Sequence, residues 1–325
     1  MKNFPNFSNH GYEIRKQLGQ NYQSGRVTYK AINLKTQQPV VIKQFQFAKK
    51  NSDWGGYKAV EREINALQRL NHPGIPCYLN YFDPGDGICL VQEYKDAQSL
   101  SVYHSFKPEE IKQIAIQILE ILMSLQNQDE IVIHRDIKPE NVLVNEQLKV
   151  YLVDFGFAII GDGKVTALSS LLLGTPGFMP PEQHNNQPLT KASDLYSLGV
   201  TLICLVTSKK STEIGQLVNL GNNHLKFRHL VPKSSFGFVP WLEKMVEPDP
   251  KKRFPDAETA LKAIHLVSPT QLSWFAKFLS YLKKHRQMLG VGAAITVASL
   301  GSGLAFMQWQ SQVALEEIQR HLTDG

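Results

Sequence analysis

The sequence predicts an α+β fold of two unequal lobes, a small strand-rich one and then a larger helical one, followed by a single C-terminal apolar helix. Three observations carry this expectation. Residues 12–95 cluster or alternate β-branched and aromatic side chains between polar turns. From about residue 100 the apolar spacing changes to that of helices. Residues 288–307, MLGVGAAITVASLGSGLAFM, carry no charge at all. With 325 residues, 42% hydrophobic and 20% charged, the chain has material for one large or two smaller folded cores.

The elements follow in order. Residues 27–31 and 40–45 read as strands joined by the polar turn 33–38. Residues 59–70 take a helical period with Ile64, Leu67 and Leu70 on one face, and Asn71-His72-Pro73-Gly74 stops it. Gly87-Ile88-Cys89-Leu90-Val91 returns to a strand after the turn at Pro84-Gly85-Asp86. The next helix opens at Pro108-Glu109-Glu110. Proline's missing donor is not needed in a first turn, and the carboxylates meet the positive end of the helix dipole. Ile111, Ile114, Ile118, Leu119 and Leu122 form its apolar face, and residues 194–207 form a second, more apolar helix expected to be buried. A cleft is expected between the two lobes.

At ~1.5 Å per residue, 288–307 matches a hydrocarbon core of roughly 30 Å. A buried core helix is the alternative. Lys283-Lys284-His285-Arg286 before the run and Trp309 after it favour a transmembrane helix. That orientation puts residues 1–286 in the cytoplasm and 308–325 outside it as a short tail. The juxtamembrane stretch 266–287 includes Trp274, Phe275, Phe278 and Tyr281, which suit either the membrane surface or packing on the preceding domain. Ala294, Ala298 and Ser302 would let two spans approach closely, so a homodimer and a lone lipid-facing helix both remain open. The N-terminus carries no secretory signal pattern. The net charge of +6 comes without a basic and aromatic stripe, so no nucleic-acid partner is expected. Three scattered cysteines suit free thiols in a reducing compartment better than a zinc site or a disulfide framework.

The strongest chemical signal is His134-Arg135-Asp136-Ile137-Lys138-Pro139-Glu140-Asn141, followed by Asp154-Phe155-Gly156 behind the strand residues 150–153. Phosphoryl transfer needs a metal held against phosphates, a group that orients a hydroxyl, and positive charge on the transferred group. Asp136 can accept the hydroxyl proton, Lys138 can neutralise developing charge, and Asn141 and Asp154 offer oxygen ligands to a divalent ion.

With these motifs at this spacing, residues 12–265 resemble the protein kinase family, serine/threonine type. The resemblance implies a bilobal protein-kinase fold with an N-terminal extension at 1–11, an N-lobe at 12–94 and a C-lobe at 95–265. It implies ATP and Mg²⁺ as cofactors and serine or threonine hydroxyls of proteins as acceptors, the latter on Lys138 and Pro139. Lys43 of Val41-Ile42-Lys43 resembles the lysine that pairs with the α- and β-phosphates. Glu63 is its expected helix partner, preferred over Glu61. Gln92-Glu93-Tyr94 resembles the adenine hinge, with backbone groups around Glu93 and Lys95 as contacts and Leu143 also against the nucleotide.

Gly19, Gly25 and Val27 resemble the phosphate-covering loop, though its middle glycine is replaced and its spacing is one residue long. Asn21 is expected to tolerate positive φ there. Val41 in place of the usual alanine, together with Gln92, suggests an altered nucleotide pocket. Thr175 would contact Asp136 and Lys138, Glu182 would pair with Arg253, and Asp194 would brace the catalytic loop. Arg135 implies an activating anion, with Ser169 or Ser170 preferred over Thr166 as the phosphorylated residue. The layout resembles bacterial membrane-anchored kinases. An ATP-binding pseudokinase scaffold is the alternative, and the presence of Lys43, Asp136, Asn141 and Asp154 speaks against it.

Overall fold

The computed structural model describes residues 4–267 apart from 22–24, 47–53, 86, 103–104, 162–173, 220 and 222. The predicted span at 288–307 and the tail after it lie outside these residues. Among the described residues no helix is long and apolar enough to cross a membrane.

Strands β1 (Tyr12–Asn21), β2 (Arg26–Asn33), β3 (Pro39–Gln46), β4 (Tyr78–Phe82) and β5 (Gly87–Glu93) form one antiparallel sheet in the order β1-β2-β3-β5-β4. Helix α1 (Trp54–Arg69) comes between β3 and β4 and starts five residues before the predicted position. Successive strand residues face opposite sides of a sheet. On β2, Val27, Tyr29 and Ala31 are buried, so Arg26, Thr28 and Lys30 share the other face. From this side Ala31 joins a cluster with Phe7, Tyr12, Val40, Ile42 and Phe82, and the Tyr29 ring stands edge-on to Phe7. Phe7 is 2% exposed and stands edge-on to Phe82, ring centres 5.2 Å apart, so packing of this lobe begins before residue 12.

The second lobe is built on α2 (Pro108–Gln126) and on α4 (Lys191–Thr207), with the one-turn α3 (Pro181–His184) before α4 and with α5 (Val239–Met245) and α6 (Ala257–Leu266) after it. Glu110 accepts the Lys107 N–H at 2.7 Å, which caps the first turn of α2. Its expected face, Ile111, Ile114, Ile118, Leu119 and Leu122, is buried. Thr190 caps α4 by accepting the Ala192 N–H, and α4 is buried almost all round, as its composition predicts. At Gly199 an added Cβ would lie 2.7 Å from Val246 and 2.8 Å from Met245, so only glycine lets α4 and the end of α5 approach this closely. Short strands β6 (Gln98–Ser99), β8 (Val142–Val144) and β9 (Val150–Leu152) form a small sheet, and β7 (Val132–Ile133) pairs with β10 (Ile159–Ile160). The loops after β7 and β9 carry the chemistry-bearing motifs toward the large sheet.

Candidate active site

A cleft of about 840 Å³ lies between the large sheet and the β8–β9 hairpin. Gly19, Arg26, Lys43, Gln92, Asn141 and Asp154 are among the residues lining it.

The loop after β7 is held from below by Asp194 in the first turn of α4. Its Oδ2 accepts the His134 N–H at 2.7 Å and its Oδ1 the Arg135 N–H at 2.9 Å. Arg135 takes a left-handed φ of 70°, a conformation costing about 1–3 kcal/mol, and these two bonds offset it. Burial pushes the Asp194 carboxyl up, against the two backbone donors and the Arg135 charge. His134 Nδ1 accepts the Asp136 N–H, and its Nε2 lies 3.2 Å from the Val153 carbonyl. Only a neutral ring protonated on Nε2 makes both bonds, and burial lowers the ring's affinity for a second proton.

Asp136 sits at the centre of a polar cluster. Its Oδ1 accepts from Thr175 Oγ1 at 2.8 Å, and its Oδ2 pairs with Lys138 Nζ at 2.8 Å. Lys138 also donates to Thr175 Oγ1 at 2.6 Å. The amide nitrogen of Asn141 donates to the backbone and to Oδ2 of Asp136, both at 2.8 Å, which leaves the Asn141 carbonyl oxygen for another partner. Burial raises the Asp136 carboxyl, and Lys138 works against it. The Val153 N–H bonds the backbone carbonyl of Asn141 at 2.9 Å, not its side-chain amide oxygen, so the hairpin fixes Asn141 relative to Asp154.

Across the cleft, Lys43 lies opposite Thr28 and Leu90 in the sheet and pairs with Glu63 of α1. Glu61, the rival carboxylate, is exposed, while Glu63 is fully buried. Asp154 Oδ1 is 3.7 Å from Lys43 Nζ. Both Asp154 oxygens are engaged by Arg26, Nη1 to Oδ1 at 2.6 Å and Nη2 to Oδ2 at 2.7 Å. Burial would raise the Asp154 carboxyl, but Lys43 and Arg26 hold it well below the ordinary carboxylate range. An ionised Asp154 and the amide oxygen of Asn141, both from residues that line this cleft, are donors of the type that suits a hard divalent ion.

The remaining predicted residues are placed as follows. Val41 and Gln92 are paired across β3 and β5, and both line the cleft. The Glu93 N–H bonds the Cys77 carbonyl at 2.9 Å, and Lys95 Nζ reaches Glu93 Oε1 at 2.6 Å. Leu143 lines the cleft from β8. Glu182 and Arg253 form a buried two-pronged pair at 2.7 and 2.8 Å. Two expectations change. Val27 faces the lobe core, and Arg26 and Thr28 take the cleft side of β2. Asn21 ends β1 as a strand residue opposite Arg26, so positive φ falls on Gly25, at 60°. Gly25 forms that turn at the start of β2, and an added Cβ there would lie 2.7 Å from the Gln46 carbonyl oxygen. Ser169 and Ser170, with Thr166, lie outside the described residues. Sequence reasoning did not single out Arg26 or Thr28, and the period-2 burial of β2 is the signal that identifies their face.

Comparison with known proteins settles the family. Residues 12–265 match the description "Protein kinase domain". The chain belongs to the protein kinase family. Its relatives include serine/threonine-protein kinase D of Synechocystis sp., 32% identical over 78% of this chain and 52% of that protein. Serine/threonine-protein kinase B of the same organism is 34% identical over 63% of this chain and 37% of that one. An LRR receptor-like serine/threonine-protein kinase of Arabidopsis thaliana is 32% identical over 57% and 21%. The chain thus spans about half or less of the length of these curated relatives. In this kinase domain, the Asp136 cluster and the Lys43–Glu63 pair face each other across one cleft.

Proposed function

We propose that the chain is a serine/threonine protein kinase that transfers the γ-phosphate of ATP to hydroxyls of protein substrates. The observation that carries this reading is the cluster of buried Asp136 and Asn141 with half-buried Lys138 and Thr175, across the cleft from Lys43. In this reading Asp136 orients the incoming hydroxyl and accepts its proton. Lys138 balances charge beside it, and Thr175 holds both in register. Lys43, fixed by Glu63, neutralises nucleotide phosphates, while Asn141 and Asp154 hold Mg²⁺. The ion, when bound, supplies charge neutralisation between phosphate oxygens. Transfer of labelled phosphate to a generic basic protein, compared with Asp136→Asn, tests the assignment. Equal incorporation by both proteins favours the ATP-binding scaffold.

Arg135 supports regulation by autophosphorylation. Its Nε and that of Arg62 are buried without a partner among the described residues. Burial and then the charge of Arg62 lower the Arg135 guanidinium to about 10, an environment suited to an arriving anion. A phosphate on Ser169 or Ser170 would supply it. Mass spectrometry with and without ATP tests this, and a fully active yet unmodified enzyme refutes it. The uncharged run 288–307 supports a single-pass cell-membrane location with the kinase domain cytoplasmic, and receptor-like relatives are in keeping with that. Flotation of the full chain with liposomes, and its loss on deletion of 288–307, is the expected result. A homodimer through Ala298 and Ser302 predicts a cross-linking yield that falls in Ala298→Leu.

A further inference from the structure

Arg26 has no part in the reading above, yet it makes the shortest contacts to the carboxylate assigned to the metal. Its fork takes both Asp154 oxygens, at 2.6 and 2.7 Å. The pair is shielded, with the side chains 21% and 11% exposed. Arg26 is also anchored. It is the first residue of β2, paired with Asn21 and Phe45, and the Gly25 turn before it is tied by its carbonyl to the Gln46 N–H at 3.0 Å. Arg26 therefore projects from backbone that is paired on both sides.

A divalent ion and a guanidinium compete for the same carboxylate oxygens and repel each other, so a two-pronged hold by Arg26 opposes a metal on Asp154. We propose that Arg26 is a positioning residue that occupies the cation's place on Asp154 and is displaced when the metal binds. This rests on the kinase reading, because it takes Asp154 as a metal ligand. Arg26 keeps the carboxylate aimed into the cleft, with Lys43 Nζ 3.7 Å from the same Oδ1. Metal entry then requires breaking a two-pronged contact, which sets a threshold on the metal concentration at which the site is filled.

The test measures Mn²⁺ binding to the full chain without nucleotide, from the electron paramagnetic resonance signal of free Mn²⁺. Arg26→Gln is expected to tighten Mn²⁺ binding by about tenfold, the loss of one charge-assisted competitor. Arg26→Lys keeps the charge without the fork, and is expected to tighten it by about threefold on the same reasoning. Unchanged or weaker binding in Arg26→Gln overturns the proposal. So does an Arg26→Lys protein identical to wild type, because general charge and not occupation of the oxygens would then explain Arg26→Gln. Circular dichroism checks folding, and Arg26→Lys carries the test alone if the glutamine variant does not fold. Asp154→Asn separates the two levels. If it binds Mn²⁺ as wild type does, the metal assignment of Asp154 has failed. If it loses Mn²⁺ while the Arg26 variants bind normally, Arg26 alone has been misread.

Discussion

Replacing Arg253 by methionine should destabilise the second lobe more than any surface change, for reasons visible atom by atom. The guanidinium gives Glu182 two bonds at 2.7 and 2.8 Å, and it also donates to the carbonyls of Ala192 at 3.1 Å, Pro248 at 3.0 Å and Glu247 at 2.5 Å. It lies over the Tyr196 ring, whose hydroxyl is pushed up to about 12 by burial. Both charged side chains are essentially inaccessible, at 0% and 2%. Methionine fills most of the volume but leaves the Glu182 carboxylate, among the described residues, with only the Ser193 hydroxyl as a side-chain donor, at 2.9 Å. Stranding a buried charge in this way costs about 3–5 kcal/mol. For a domain of this size each kcal/mol moves the melting temperature by about 2–4 °C, so a fall of roughly 6–20 °C is expected. Thermal unfolding followed by circular dichroism measures it. Arg253→Met with Glu182→Gln should recover a large part of the loss, because the second change removes the stranded charge. A single variant within about 1 kcal/mol of wild type, or a double variant as damaged as the sum of its parts, would refute the argument.

Three further outcomes follow from the geometry. Asp136→Asn should lower phosphate transfer by about 10²–10⁴-fold while leaving the melting temperature close to wild type, the range expected for loss of a proton acceptor; a smaller loss in a steady-state assay counts against that role. His134 is held neutral, its affinity for a proton depressed below the ordinary value of 6.5. The unfolded chain therefore binds more protons below that pH, and stability should fall as pH drops through it, by up to about 1.4 kcal/mol per unit. Unfolding midpoints between pH 5 and 7 should lose this slope in His134→Gln, and an unchanged slope would assign it to other groups. Gly199→Ala forces a methyl against Met245 and Val246 and should cost about 1–3 kcal/mol in urea unfolding.

The legible parts of the site were those where sequence neighbours are also spatial neighbours. Asp136, Lys138 and Asn141 share one loop, and their spacing alone brings them together. Lys43 and Glu63, 20 positions apart, were accessible only through the family resemblance, since no local pattern joins a strand to a helix face. Arg26 was missed because a strand's parity cannot be counted across an irregular turn. Once β2 is known to bury Val27, Tyr29 and Ala31, Arg26 must face the cleft. β4 went unrecognised for a related reason. It is an edge strand with Leu79, Asn80 and Tyr81 exposed, so it lacks the alternation that marks a half-buried strand. The helices α2 and α4 were readable because their apolar faces are long enough to repeat several times.

Phe7 lies before residues 12–265, the stretch that matches the protein kinase domain, yet inside the physical unit. Its carbonyl accepts the Tyr12 N–H at 3.1 Å, and its ring fills space beside Tyr29 and Phe82. A fragment cut at the homology boundary would hollow out the small lobe, at a cost of about 3–5 kcal/mol if the void does not collapse. Where kinship begins and where folding begins are different residues here, and an expression fragment designed from the first would inherit a defect set by the second.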